Sequence, residues 1–366
     1  MKTFFDLKQE IVAAGLCHGC GGCVTFCTAV NFGALKMENN HIPSYKSVEK
    51  CLDCGLCYLV CPAAGELEEQ IQRNVGWSAP MGRIFQTFVA RAGDEKIRQR
   101  ATDGGVVTAM LLHLFDNGLI DGAIVSKKTP EGRVPWLATS HEDIIEAAGS
   151  HYDAMQGPLQ LGLEYSTYSP STQALGSLMR QGLKRIAFVG TPCQIKAVRK
   201  MEALKLVPSD SIKYYLGLFC TANFDLDGDK ITALEDLAKC TMEDVVKMNI
   251  KDDFMLHLKD GTSRRIPLDK LDFAKREACR FCDDFSAEYT DISFGGLGAE
   301  HGWTTVVTRS VIGRAAFADA RENCLEIQSI DDNPGRDARV IARIMESSMQ
   351  KKVKAVSNRK QLENPG

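Results

Sequence analysis

Short apolar runs rich in β-branched and aromatic residues alternate with helical periods from residue 83 onward. Runs of this kind suit strands that are buried on both faces, whereas apolar residues repeated every three or four positions suit helices. The alternation predicts an α/β domain in which helices cover a largely parallel sheet. The predicted strands are residues 122–125, 185–189 and 214–219, and the predicted helices are residues 106–115, 194–204 and 231–238.

Two further patterns follow the same region. Residues 254–258 and 263–267 are joined by Lys-Asp-Gly-Thr, which predicts an added β-hairpin. Residues 337–360 predict a long basic C-terminal helix that is either solvated or docked on a partner.

The polar, turn-rich residues 62–82 predict a connection between domains. We therefore expect an N-terminal domain at 1–80, an α/β domain at 81–330 and a C-terminal helix and tail at 331–366.

The N-terminal domain carries the spacing C-x2-C-x2-C-x3-C twice, with Pro62 after the second run. This is the pattern of bacterial two-cluster ferredoxins, in which the fourth cysteine of each run crosses to the other cluster. The rule predicts two 4Fe-4S clusters, and the chain as a whole is expected to be α+β. Thr28 stands where the pattern often has proline, and a pair of zinc sites is the alternative. The predicted ligand sets are Cys17, Cys20, Cys23 and Cys61 for one cluster, and Cys51, Cys54, Cys57 and Cys27 for the other.

Composition narrows the setting of this chemistry. The chain has 366 residues, 44% of them apolar, and a formal charge of -3, which gives no general attraction to nucleic acid or to anionic lipid. No apolar run is long enough to span a bilayer, so we expect a soluble cytoplasmic protein, free or peripheral to a membrane complex. Fourteen cysteines in such a chain indicate metal ligation better than disulfides.

Four of the remaining cysteines predict a third cluster. Cys193 follows a predicted strand at the start of a helix, and Cys220 ends the next predicted strand. Because the carboxyl ends of parallel strands share one edge of a sheet, the two thiols are expected to lie close together. Cys279-x2-Cys282 lacks two ligands, which this pair would supply. A buried free cysteine is the alternative for each, and it is the interpretation adopted for Cys240 and Cys324.

Two glycine-rich turns offer places for a cofactor. Residues 295–303 follow the short predicted strand 291–294. The dinucleotide-binding pattern G-x-G-x-x-G requires a helix after the glycines, but a strand is predicted there, so the pattern is not met. Gly104 and Gly105 precede the helix that begins near Val106, where free backbone amides favour a phosphate or a flavin edge. The alternative is a plain turn with Asp103 as the N-cap.

Several motifs in one order resemble a known family over residues 99–309. The chain is similar to the beta subunit of coenzyme F420-reducing hydrogenase and its relatives, which include beta subunits of F420-dependent formate dehydrogenase. The fused ferredoxin segment looks most like the input subunits of F420 dehydrogenases. The motifs are residues 103–108, 148–152, 191–194, 219–220 and 302–309, together with Cys279-x2-Cys282.

The resemblance implies FAD beside one 4Fe-4S cluster held by Cys193, Cys220, Cys279 and Cys282. It implies that coenzyme F420 exchanges hydride at FAD and that single electrons pass through three 4Fe-4S clusters to another redox subunit, with either direction open. The partner would be of hydrogenase, formate dehydrogenase, heterodisulfide reductase or membrane dehydrogenase type. No catalytic acid or base is required. The residues implied around FAD are Asp103, Gly104, Gly105, Thr108, Ser150, His151, Tyr152, Gln194, Gly302, Trp303 and Thr304.

Two other functions stay open from the sequence. The same FAD and cluster core could reduce another organic substrate with electrons from ferredoxin, as some relatives of the family do. Alternatively, the chain could be a flavin-free subunit that only conducts electrons within a larger complex.

Overall fold

The computed structural model describes residues 1–29, 33–38, 42–129, 132–149, 171–175, 181–206, 209–224, 226, 228–328 and 335–363. An eight-stranded sheet dominates this part of the chain, in the order β13-β3-β12-β11-β7-β6-β4-β5. The four neighbours β11, β7, β6 and β4 run parallel, and both edges of the sheet are antiparallel. The strands are β1 Leu35–Met37, β2 Pro43–Tyr45, β3 Gln86–Ala92, β4 Gly122–Thr129, β5 Gly132–Ala138, β6 Ile186–Gly190, β7 Ile212–Leu218, β8 Val245–Ile250, β9 Asp253–Leu258, β10 Ser263–Pro267, β11 Ile292–Gly295, β12 Thr304–Thr308 and β13 Leu325–Ile327.

Successive side chains of the central strands enter two different cores. Ala123 of β4 and Ala187 of β6 pack on one face of the sheet, with the helices Val106–Asp116 and Val311–Asn323. Ile124 and Phe188 pack on the other face, because alternate residues of a strand point to opposite sides. The predicted α/β class is thus confirmed, with a parallel centre and antiparallel edges. The α-helices are Phe4–Leu7, Gly22–Ala29, Leu56–Leu59, Glu68–Val75, Glu95–Arg100, Val106–Asp116, His141–Glu146, Pro192–Ala203, Gly228–Ala238, Val311–Asn323 and Arg336–Glu363.

The predicted hairpin forms as β9 and β10, and β8 adds a third antiparallel strand to it. Phe254 and Leu256 of β9 are fully buried against Leu234 of the helix Gly228–Ala238. This small sheet therefore has a hydrophobic core of its own beside the large one.

The N-terminal segment packs onto the helix Pro192–Ala203. Phe26, Val60 and Ile71 share one hydrophobic core with Ile195 and Val198 of that helix. The approach is close, since a Cβ atom added at Gly22 would lie 3.0 Å from the Cβ of Ala197. The two parts of the chain share a core, and the domain boundary at residue 80 stays a prediction.

The C-terminal helix, Arg336–Glu363, confirms the helix predicted for 337–360. Its inner face buries Val340, Ile344 and Ala355, while Met349 and Val353 lie exposed on the outer face. The helix is therefore only half solvated, because its inner face covers the sheet and the segment around Cys279. No described helix is long and apolar enough to cross a membrane.

Arg309 joins the sheet to two connecting segments. Its side chain is almost fully buried and donates to the carbonyl oxygens of Met81, Arg83 and Ser286 at 2.9, 3.1 and 3.1 Å. It also donates to the hydroxyl oxygen of Ser293 at 2.8 Å. Burial lowers the pKa of Arg309 to about 10. This one side chain satisfies acceptors that water cannot reach.

Replacing Arg309 by Met should destabilise the fold by roughly 3–5 kcal/mol, because several buried acceptors lose their donor together. In thermal unfolding under anaerobic conditions, the midpoint should fall by roughly 5–10 °C. Arg321→Met is the matched control, since Arg321 is exposed and pairs with Glu322 at the surface. A midpoint equal to that of the control would contradict the role given to Arg309.

Candidate functional site

Twelve of the fourteen cysteines lie in three groups of four. The thiols in each group are electrostatic neighbours of one another. The charged neighbours of Cys240 and Cys324 are carboxylates and, for Cys240, one guanidinium. The structure therefore brings together the members of each predicted set. The first group is Cys17, Cys20, Cys23 and Cys61, the second is Cys27, Cys51, Cys54 and Cys57, and the third is Cys193, Cys220, Cys279 and Cys282.

The first and second groups each surround a small cavity. The cavity at the first group measures about 20 Å³ and is closed by Leu7 and Ile11, and the cavity at the second measures about 30 Å³ and is closed by Phe4 and Phe26. Burial raises the pKa of the Cys17 thiol to about 11. Four thiolates in such a place require compensating positive charge, which iron supplies.

Among the described residues, no three His, Cys, Asp or Glu side chains lie close enough to hold a single metal ion. The ligand loops contain Gly19, Gly21 and Gly55 with φ of 62°, 77° and 72°. These are conformations that glycine adopts readily, so each loop can fold closely around its centre.

The third group forms where β6 and β7 end side by side. These strands are parallel, with Gly190 opposite Gly217, so Cys193 and Cys220 follow from the same edge of the sheet. The backbone amide of Asn223 donates to the sulfur of Cys279 at 3.3 Å. Burial raises the pKa of the Cys193 thiol to about 12. The arrangement is the one predicted from strand order, and it brings together residues far apart in the chain.

The three groups follow one another in a row. The thiol of Cys20 in the first group interacts with that of Cys193 in the third group, and the thiol of Cys23 interacts with that of Cys57 in the second group. Cys54 of the second group is exposed, whereas Cys20 is buried. The order is therefore third, first, second, and the exposed cysteine belongs to the second group.

A cavity of about 320 Å³ adjoins the third group. Its wall contains Phe219 and Cys220 at the end of β7, and two helix N-termini open into it, those of Val106–Asp116 and Pro192–Ala203. Apolar side chains form most of the wall, and backbone amides of the helix ends provide donors. The predicted cofactor contacts that line it are Asp103, Gly105, Thr108, Gln194 and Thr304.

Asp103 does not cap the helix that follows it, so the N-cap alternative is wrong. The helix begins after Gly105, which has φ of 74° and makes no side-chain cap. Asp103 instead accepts from Asn249 at 3.4 Å and pairs with Lys251 at 3.4 Å. The carboxylate thus holds β8 and the residue after it against the cavity.

Two further predicted residues have local structural contacts. The backbone amide of Gly104 donates to the hydroxyl oxygen of Thr304 at 3.0 Å. Gln194 accepts from the backbone amide of Thr191 at 3.0 Å and completes the cap of its helix. These contacts fix the two sides of the cavity relative to the sheet.

Gly302 and Trp303 are not among the described residues that line the cavity. Trp303 precedes β12 by one position, so its side chain points away from the face of Thr304. The guanidinium of Arg91 lies 4.5 Å from its ring centre. Ser150, His151 and Tyr152 lie outside the described residues, and their role stays a prediction.

The sequence did not indicate three residues near this site. Asn249 lies in β8 and Lys251 directly after it, in a segment that was not predicted to be a strand. The ammonium of Lys351 donates to the carbonyl oxygens of Cys220 at 2.6 Å and Asp284 at 2.9 Å. Lys351 lies on the C-terminal helix, and no motif links a lysine there to distant cysteines.

The fold and the cysteine groups define a redox protein with an iron-sulfur segment and a cofactor cavity. The family model "Coenzyme F420 hydrogenase/dehydrogenase, beta subunit" matches the chain with its N-terminal part at residues 87–161 and its C-terminal part at residues 183–333. A 4Fe-4S dicluster domain model matches residues 10–71. The chain belongs to the coenzyme F420 hydrogenase/dehydrogenase beta subunit family and carries a 4Fe-4S dicluster domain.

Individual relatives agree with this membership. The coenzyme F420 hydrogenase subunit beta of Methanococcus voltae is 32% identical over 75% of this chain and 94% of its own length. One of the subunits of the F(420)H(2) dehydrogenase of Methanosarcina mazei is 30% identical over 89% of this chain and 88% of its own. A chain of the F420-reducing [NiFe] hydrogenase complex from Methanosarcina barkeri superposes with a TM-score of 0.65 at 26% identity, over 78% of this chain and 94% of that chain.

Glu288 lies in a buried polar network behind the third group. The indole nitrogen of Trp77 donates to its carboxylate at 2.7 Å, and the ammonium of Lys352 lies 2.7 Å from its other oxygen. Burial and the neighbouring charge of Asp284 raise the pKa of Glu288 to about 7. The folded protein therefore holds a proton that the unfolded chain releases nearer pH 4.5.

The free energy of unfolding should fall as the pH rises from about 4.5 to about 7, because ionised Glu288 is less favourable in the fold than in water. The titration of Glu288 should lower the free energy of unfolding by up to about 3 kcal/mol over this pH range. Glu288→Gln should flatten this part of the curve, measured as thermal midpoints between pH 5.5 and 8, whereas the exposed control Glu322→Gln should keep the slope of the wild type. Identical slopes in all three proteins would refute the assignment.

Proposed function

We propose that this chain exchanges hydride between coenzyme F420 and FAD held in the 320 Å³ cavity, and passes single electrons through three 4Fe-4S clusters to a partner redox subunit. Family membership supports the F420 and iron-sulfur parts of this proposal. The observation that carries the rest is the position of Cys220, which belongs to the third group and stands in the cavity wall. A cofactor in the cavity would lie directly beside a cluster there.

The cavity suits a flavin dinucleotide in its chemistry. The helix Val106–Asp116 has no side-chain cap at its N-terminus, so its first backbone amides can serve as donors to a ligand. The positive ends of the dipoles of this helix and of Pro192–Ala203 favour a pyrophosphate. Val106, Leu218 and Phe294 offer apolar surface for a flat ring. Bound flavin accepts two electrons as hydride and releases them one at a time, which joins a deazaflavin to one-electron clusters.

The chain's own residues would bind, orient and shield the reacting groups. The third group would hold the cluster nearest the cavity, followed by the first group and then the second. Since hydride transfer needs no proton at a side chain, no acid or base is assigned. Leu218 and Phe219 would exclude water from the reacting face, and Lys251 would place a positive charge on the wall.

The second group marks the end at which electrons leave or enter. Cys54 is its exposed member, so a partner can approach it directly. A hydrogenase, formate dehydrogenase, heterodisulfide reductase or membrane dehydrogenase subunit would fill this role, as the relatives named as hydrogenase and dehydrogenase subunits suggest. A cytoplasmic location stays a prediction.

Anaerobic purification should yield about twelve irons per chain, from three four-iron clusters, and one FAD. A dye-linked assay should show oxidation of reduced F420 and little activity with NADH or NADPH. About eight irons with no flavin after reconstitution would favour the flavin-free conducting subunit. Activity with NADH alone would remove F420 as the substrate.

Cys279→Ser should remove about four irons and uncouple reduction of the flavin from the two clusters that remain, because the third group loses a ligand. Stopped-flow spectra would follow the flavin and the clusters separately. Cys240→Ser is the matched control, since Cys240 lies outside all three groups, and it should keep its full iron content. If Cys279→Ser retains both the iron and the coupling, the third cluster is not held there.

A further inference from the structure

We infer that the C-terminal helix belongs to the third cluster site, where Lys351 raises the reduction potential of that cluster. The inference rests on the third cluster of the proposed function. It concerns a residue beyond residue 333, where the match to the family model ends. The residue proposed to act on the cluster therefore lies on the C-terminal helix, outside the matched region.

Lys351 binds two of the three segments that supply the ligands. Its ammonium donates to the carbonyl oxygen of Cys220, which follows β7, and to that of Asp284, two residues after Cys282. These two segments are far apart in sequence and come together at the third group. One side chain thus fixes their spacing and brings a positive charge to the place where they meet.

Asn358 and Arg359, which lie further along the same helix, bind the loop between Cys279 and Cys282. The side-chain amide of Asn358 donates to the carbonyl oxygen of Arg280 at 2.7 Å, and Arg359 donates to that of Phe281 at 3.2 Å. Arg280 and Phe281 are the two residues between Cys279 and Cys282. The helix is therefore attached to the ligand loop itself, and its position relative to the loop is defined.

The charge of Lys351 is not cancelled by an ion pair within the described residues. Its two hydrogen-bond acceptors are neutral backbone carbonyls, and its charged neighbours are the thiols of the third group and Asp284. Reduction of a four-iron cluster by one electron adds one negative charge to it. A nearby ammonium stabilises the reduced form more than the oxidised form, so it raises the potential.

The first group contains the same arrangement. Lys200 is fully buried, and its ammonium donates to the carbonyl oxygens of Cys61 at 2.6 Å and Ala64 at 2.7 Å. The first and the third group thus each have a lysine bound to the backbone of a ligand cysteine. This repetition supports a shared electrostatic role, and Lys351 is the one that can be changed with a matched control on the same helix.

The test uses the full chain, purified without oxygen and titrated with dithionite while the clusters are followed by electron paramagnetic resonance. In Lys351→Met, one of the three clusters should become harder to reduce by at least tenfold in its reduction equilibrium, which is about 59 mV for one electron. Iron content should stay at about twelve per chain. Lys351→Arg should keep the potential near that of the wild type.

Lys354→Met is the matched control, because Lys354 lies one turn away and is exposed. It should leave all three potentials unchanged. An unchanged potential in Lys351→Met, an equal shift of all three clusters, or the same shift in Lys354→Met would overturn the inference. If Lys351→Met loses about four irons, Lys351→Gln is titrated instead. An unshifted potential in Lys351→Gln would mean that Lys351 only holds the two segments together, and this result would also overturn the inference.

Failure of the inference can be told apart from failure of the proposed function. A wild-type protein with about eight irons lacks the third cluster, so the proposed function fails. A wild-type protein with about twelve irons whose potentials do not respond to Lys351→Met retains the function and loses only the role of Lys351.

Discussion

The helix Pro192–Ala203 fixes the separation between two of the three cysteine groups, and electron transfer between redox centres would require such a fixed separation. The helix begins at the third cysteine group, with Cys193 in its first turn. Near its other end, Lys200 is bound to the backbone of Cys61, which belongs to the first group. One rigid element therefore spans two groups, and the apolar contacts of Ile195 and Val198 keep the N-terminal segment seated along it.

Local patterns were enough to predict most of the fold. Residues 122–125 of β4, 186–190 of β6 and 214–218 of β7 are continuous apolar runs, and a run of this kind is typical of a strand that is covered on both faces. The antiparallel edges could not be predicted, because the direction of β3 and β13 depends on contacts between distant parts of the chain. The strand β8 was not predicted, although residues 246–250 alternate apolar and polar side chains as a half-buried strand does.

The cysteine groups were predictable for a different reason. Two of them follow from spacing in the sequence, and the third follows from the rule that neighbouring parallel strands end at one edge. The surroundings of the third group and its cavity were predicted less completely. Asn249 and Lys251 line the cavity and Lys351 binds the backbone of Cys220, and no motif in the sequence marks any of the three. Trp303 shows the converse case, in which a residue inside a recognisable motif packs with Arg91 outside the cavity lining.

The shared core beneath the N-terminal segment also limits how this protein can be taken apart. Phe26, Val60 and Ile71 are buried in a core that they share with the helix Pro192–Ala203 and the large sheet. A transplanted copy of the segment would present these side chains to water, and the carbonyl oxygens of Cys61 and Ala64 would lose their donor, Lys200. The ferredoxin-type segment is thus not an interchangeable module, and recombination between family members would have to exchange it together with the surface of that helix.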